Sequence, residues 1–378
     1  MASDTHDIVR NRFMLTGRFA RRGYDWWWHS FTGRHAKTGK ELSFFIEFFT
    51  CNPALGEDEP VLGQLPENKA AGKKPSYLMV KAGCWGERPR QLHRFFGWGE
   101  VDIAAGAPFH VAAGDCLCCE TDLIGRVEVS PEDAETHPEW MCDAGSMIFD
   151  LHVDKQIAFN VGYGASTPMC EAKVFEMFWH AEGIKTAYSG VVVLDGEAYI
   201  VTPKTCWGYA DKNWGGDFTS PWLWLSSCDL VSELSGKRLE HSAFEIGGGR
   251  PCAFGVTFER KLLGCFNYEG TSHEFNFSKP WTGSTTKFGF EEGTDGVNRW
   301  HVEQETLTAR LVTDISCPQR EMMLANYESP DGARRHTRLW NGGTGTGRLQ
   351  LFERHNGKET LVDIVEAAHV GCEYGEYE

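Results

Sequence analysis

Gly208-Tyr209-Ala210-Asp211-Lys212-Asn213-Trp214-Gly215-Gly216-Asp217-Phe218 leads, after two further residues, into Pro221-Trp222-Leu223-Trp224-Leu225. The indoles at 222 and 224 alternate, as residues sharing one face of a strand must. The same parity puts Tyr209 and Asp211 on one face, where a phenol can hydrogen-bond a carboxyl and hold its proton in place. A short acid therefore sits among large rings, between glycines, in β-patterned surroundings. A tight turn is the competing reading, because Asp, Asn and Gly commonly shape one.

Outward from this stretch the pattern is uniform. Runs of β-branched and aromatic residues recur at 42–49, 76–81, 101–103, 123–129, 147–153, 174–180, 187–194 and 198–202. They continue at 222–226, 252–258, 261–266, 273–277, 286–291, 299–305, 308–312 and 347–353. Many short strands separated by Gly, Asn, Asp and Pro predict a mainly β protein, a barrel or a sandwich. Asp195-Gly196 signals a hairpin. Helix is expected only in short pieces: after Ser130-Pro131, over Gln319–Asn326, and over Glu359–His369. Residues 52–75 and 329–347 read as loops. Asp25-Trp26-Trp27-Trp28-His29-Ser30-Phe31 echoes Pro221-Trp222-Leu223-Trp224-Leu225-Ser226-Ser227 half a chain away, which suggests two related β units, although a Trp-rich chain can produce such an echo by coincidence.

Composition closes off several function classes. The net charge of −16 argues against nucleic acid and against an anionic membrane surface, since both need clustered Lys and Arg. No apolar run approaches the roughly 20 residues that span a bilayer. The first residues lack the basic start and apolar run of a secretory signal. Thirteen scattered cysteines then read as reduced thiols, so a cytoplasmic location is expected. With 14 Trp and 24 Phe, the chain has rings to spare for lining an apolar pocket as well as filling a core.

An ordinary Asp ionises near 3.9 and is no acid at neutral pH. Burial among rings raises that value, and ring faces stabilise a developing cation by roughly 0.5–2 kcal/mol each. Asp211 among Tyr209, Trp207, Trp214, Trp222, Trp224 and Trp26 to Trp28 could thus protonate a carbon–carbon double bond. Between Phe175 and Gly183, strand alternation sets Glu176 and His180 apart from the apolar face that carries Trp179; either could serve as a base, and His180 could equally be structural. Glu47, in Phe44-Phe45-Ile46-Glu47-Phe48-Phe49, is an acid in an apolar run that needs a partner or a proton.

These two aromatic motifs resemble those of the tocopherol cyclase and carotenoid 1,2-hydratase superfamily of lipocalin-like proteins. Asp25-Trp26-Trp27-Trp28 matches its N-terminal signature, and Tyr209, Asp211, Asn213, Trp214 and Gly215 match its central one. The resemblance implies two consecutive lipocalin-like antiparallel β-barrel units enclosing an apolar cavity. It also implies Asp211 as proton donor to an isoprenoid double bond, assisted by Tyr209. In one branch an internal oxygen traps the cation; in the other, water does.

The reading is then a cofactor-independent enzyme with units at 1–200 and 201–378 and a pocket near their junction. Its partner is an unsaturated hydrophobic small molecule, which it cyclises or isomerises. Asp211, Tyr209, His180 and Glu176 are the expected catalytic groups. Trp214, Trp207, Trp222, Trp224, Trp27, Trp179, Asn213 and Glu47 are expected to line the substrate site. A hydratase and a non-catalytic carrier are the alternatives. No metal is expected: Cys116-Leu117-Cys118-Cys119 lacks zinc-like spacing and reads as a strand. Gly162-Tyr163-Gly164-Ala165-Ser166 lacks the pattern of a nucleophile elbow. Gly247-Gly248-Gly249 and the glycines of 342–347 read as hairpin turns, and His29 as structural.

Overall fold

A computed structural model describes residues 5–159, 172–253, 255–333 and 335–376. The Gly162–Ser166 segment lies outside them. The chain is mainly β, with antiparallel sheets of twelve and eleven strands and a small ribbon pairing Cys252–Ala253 with Val256–Thr257. The two sheets enclose separate cores. Among the described residues the α-helices are short: Thr5–Arg10, Pro66–Ala70 and Pro131–Thr136. The last starts as its sequence predicts, with the Ser130 hydroxyl accepting from the Asp133 amide. Asp195 and Gly196 take positive φ and close the hairpin between Met177–Leu194 and Glu197–Val201.

In the first sheet Tyr24–His35, Glu41–Cys51, Tyr77–Trp85 and Arg90–Phe96 pair in order. Tyr209–Gly215 is wedged between Tyr24–His35 and Met177–Leu194, with Trp28 opposite Asp211 and Trp179 opposite Asn213. The expected boundary at 200 therefore falls short of the end of this sheet, because both edges of Tyr209–Gly215 are taken by earlier strands. The second sheet opens with Trp222–Ser227 and has as its spine the long hairpin Arg335–His355 and Lys358–Gly375.

Three local expectations are corrected here. Gln319–Asn326 is one 3-10 turn followed by the strand Met323–Glu328. Glu359–His369 lies inside the strand Lys358–Gly375, where Thr360, Val365 and Ile364 find ladder partners in Arg335–His355. The glycine runs at 247–249 and 342–347 are strand interiors, not turns. Long-range pairing overrides local propensity at each place.

Residues from both units form a third core where the sheets face each other: Trp28, Phe45, Trp85, Trp179 and Tyr209 meet Trp222, Trp224, Leu263 and Tyr327. Glycines make this approach possible. A Cβ at Gly247 would lie 2.5 Å from the Trp179 ring, and one at Gly343 would lie 2.2 Å from the Trp85 ring. At the rim, His369 joins the units, with Nε2 at 2.6 Å from Glu41 and Nδ1 at 2.6 Å from Asp229.

Candidate active site

Strand alternation decides what reaches the junction. Tyr209, Asp211 and Asn213 face it together with Trp26, Trp28 and Trp179 from the flanking strands. Asp211 is buried. Its Oδ2 accepts from Trp179 Nε1 at 2.7 Å and from the Tyr209 hydroxyl at 3.0 Å, while Oδ1 has no hydrogen bond. Burial pushes its carboxyl well above the usual range, against the opposing pull of those two donors, and the charges of Glu373 and Glu182 add to the rise.

Three more carboxyls share this junction. Glu245 Oε1 lies 2.6 Å from the Tyr209 hydroxyl and accepts from Trp224 Nε1 at 2.9 Å, while Oε2 has no hydrogen bond. Burial also drives Glu245 well above its ordinary value, and Asp211 adds to the rise. Glu373 accepts from Trp222 Nε1 at 2.7 Å and from Asn341 Nδ2, and burial raises it to about 7. Glu47 lies 3.3 Å from the Lys81 ammonium and accepts from the Tyr327 hydroxyl at 2.9 Å. Burial raises Glu47 and lowers Lys81. Indole and phenol donors hold all four acids, with Lys81 the one cation that pairs with any of them among the described residues. Full ionisation would leave like charges in a dry core, so the cluster keeps protons.

Several buried polar atoms on this face have no hydrogen-bond partner: the acceptors Asp211 Oδ1, Glu245 Oε2 and Glu47 Oε1, and the donors Trp26 Nε1, Trp28 Nε1 and Asn213 Nδ2. Buried polar atoms are normally satisfied, so this face keeps hydrogen-bonding capacity that the chain itself does not use. The rings between them supply an apolar lining: Trp224 lies 4.9 Å from Tyr209, and Trp222 lies 5.7 Å from Trp179, centroid to centroid.

The expected site divides by parity. Asp211, Tyr209, Asn213, Trp179, Trp222, Trp224 and Glu47 come together at the junction. Trp214 does not: three residues from Asp211, it turns to the opposite face and stacks on Phe178 at 5.5 Å. Trp27 is likewise on the far side, fully buried in the first unit with its ring 3.8 Å from the Lys212 ammonium. His180 follows the same rule, because Trp179 takes the junction side of its strand. Trp207 packs at the rim against Arg238 and His369. Glu176 lines a separate cleft of about 270 Å³ with Arg22, Met177, Asp217, Phe218 and Arg250. His29 is held by Tyr188 at 2.9 Å and Cys118 at 3.4 Å, and burial lowers it to about 3, so it stays neutral.

Glu245, Glu373, Lys81 and Tyr327 were not singled out from the sequence. Glu245 had a usable signal: Ala243-Phe244-Glu245-Ile246 is a lone acid in an apolar run, like Glu47. Two clefts end on rings that pack against the junction. Phe218 separates the 270 Å³ cleft from Trp26 and Tyr327, at 5.8 and 5.5 Å. Trp85 lines a second cleft, of about 500 Å³, and donates to Asn341 at 2.8 Å. Among the described residues no cluster of three His, Cys, Asp or Glu side chains is arranged to hold a metal. Among them, too, no helix is long and apolar enough to cross a membrane.

No family model matches the chain. Over 155 residues it is 34% identical to chloroplastic tocopherol cyclase from Zea mays, a stretch covering 39% of this chain and 30% of the maize protein. The chain thus spans less than a third of that relative's length, and over this part it is a homologue of the kind its motifs implied. Two solved structures resemble it along most of their traces. An AttH candidate from Nitrosomonas europaea has a TM-score of 0.44 and 14% identity, covering 94% of this chain and 95% of its own. Kievitone hydratase from Nectria haematococca has a TM-score of 0.43 and 10% identity, covering 98% and 94%.

Proposed function

We propose that this protein is an enzyme that protonates a carbon–carbon double bond of a largely apolar molecule, of isoprenoid, prenylated phenol or polyphenol type, after which an internal oxygen closes a ring. The observation that carries this reading is the setting of Asp211: buried, hydrogen-bonded by Trp179 and Tyr209, and in no ion pair among the described residues. Such a carboxyl keeps its proton at neutral pH, and the two donors stabilise the carboxylate left when the proton departs. Trp28, Trp222 and Trp224 offer ring faces to the carbocation. The unpartnered polar atoms around Asp211 suit a substrate with an oxygen function on an apolar body. Homology to tocopherol cyclase over part of the chain favours ring closure over hydration. Proton transfer followed by internal trapping is redox-neutral, so the scheme calls for no cofactor.

The test is incubation with a panel of prenylated phenols, polyenes and chalcone-like enones in deuterated water. A product isomeric with its substrate, with deuterium at one carbon, is expected. Asp211→Asn should slow its formation by at least about 100-fold, the scale of a lost general acid. A product heavier by one water would identify a hydratase. Every ligand recovered unaltered, or full turnover by Asp211→Asn, would overturn the proposal, and bound but unchanged ligand would identify a carrier.

A further inference from the structure

The Tyr209 hydroxyl has one proton and two carboxyl neighbours, Asp211 Oδ2 at 3.0 Å and Glu245 Oε1 at 2.6 Å. It can donate to only one of them. The other contact is attractive only if that carboxyl carries its proton on the near oxygen and donates it to the phenol. Each near oxygen also accepts from an indole, Asp211 Oδ2 from Trp179 and Glu245 Oε1 from Trp224, and the shorter of the two phenol contacts is to Glu245. A carboxylic acid is a stronger donor than a phenol and makes the shorter bond, so the proton order is directional: Glu245 donates to Tyr209, and Tyr209 donates to Asp211.

We infer that Glu245 is a proton reservoir that restores Asp211 to its acid form through the hydroxyl of Tyr209. The inference rests on the function proposed above. Asp211 gives its proton to the alkene, whose π electrons form the new C–H bond. The Tyr209 proton then moves to Asp211 Oδ2 while the Glu245 proton moves to the Tyr209 oxygen. As the substrate oxygen attacks the cation, its O–H bond breaks and that proton passes to Glu245 Oε2, the oxygen without a partner. Protons and charge return to their starting count. Glu245 thus takes the part expected of Glu176 or His180, and it does so from the second unit: the site is complete only where the units meet. Burial raises both acids, which keeps both protons available at neutral pH.

Infrared spectroscopy of the unliganded protein in H2O and D2O tests the inference, because the carbonyl stretch of a neutral carboxylic acid is resolved and shifts on deuteration. Glu47, Glu373 and Lys81 face the same space, so E47Q and E373Q assign those carboxyls separately. At pH 7, D211N and E245Q should each remove one neutral-acid band, and Tyr209→Phe should displace both. E245D should restore a band if E245Q removes one. An E245Q spectrum with every neutral-acid band still present, or a Tyr209→Phe spectrum in which only the Asp211 band moves, overturns the relay. This measurement needs no turnover, so its failure is read separately from a failure of the proposed reaction. With a prenylated hydroquinone as probe, E245Q can take no proton from the substrate oxygen and should be slow from the first turnover onward. It should lose about 10- to 100-fold in steady state. Equal steady-state rates for E245Q and wild type would also overturn it.

Discussion

Trp179→Phe removes one of the two donors that hold Asp211, the indole N–H at 2.7 Å, and leaves the Tyr209 hydroxyl at 3.0 Å. A hydrogen bond to a charged group contributes about 1.5–3 kcal/mol, and one to a neutral group about 0.5–1.5. The lost bond therefore favours the carboxylate over the acid by about 1 kcal/mol, close to one pH unit at 1.36 kcal/mol per unit. The sign is fixed: losing a donor to the anion raises an already raised acid, so Asp211 should titrate about one unit higher in the variant. The carboxylate formed during proton transfer loses the same support, and turnover should fall about 5- to 10-fold. Phenylalanine also leaves space above Gly247, where the indole now packs, so some thermal stability is lost independently. A pH titration of the Asp211 infrared band, assigned with D211N, separates the two effects. A midpoint that stays put or moves down would refute the argument that Trp179 supports the carboxylate.

Gly247→Ala places a Cβ 2.5 Å from the Trp179 ring and should cost about 1–3 kcal/mol in denaturant melts, with a change in indole fluorescence; an unchanged midpoint would contradict the close approach of the sheets. Burial works against the charged form of His369, but its hydrogen bonds to Asp229 and Glu41 outweigh this and raise it to about 9. Its stabilisation is then complete below about pH 6.5 and lost as pH rises through 9, a swing of about 3 kcal/mol that His369→Gln should abolish in urea melts across that window. Burial raises Glu373 to about 7, so the native state holds a proton that the unfolded chain releases near 4.5. Stability should fall between pH 4.5 and 7 by up to about 3 kcal/mol from this group, and Glu373→Gln should flatten that slope in thermal melts.

Much of this molecule is readable from the chain. Short β-branched and aromatic runs, Asp195-Gly196 and Ser130-Pro131 each announce their structure by local stereochemistry, which needs only the residues themselves. The i, i+2 relation of Tyr209 and Asp211 is of this kind. So, applied strictly, was the exclusion of Trp214 from the face of Asp211, because parity along a strand is a local property; for Trp27 the pairing register that sets Trp28 opposite Asp211 decided. The helix expected at Glu359–His369 went the other way: its residues tolerate both forms, and the partner strand chose.

The sequence by itself determined the fold class, the alternation of faces and the acid beside its phenol. The tertiary structure alone decided that Glu245, Glu373 and Tyr327, all from the second sheet, stand against Asp211 and Glu47 from the first. It also decided that Gly247 and Gly343 are seats for Trp179 and Trp85 rather than turns. The reason is physical. Whether a carboxyl holds its proton depends on burial and on the charges across an interface, and those belong to no segment of the chain but to the packing of one sheet on another.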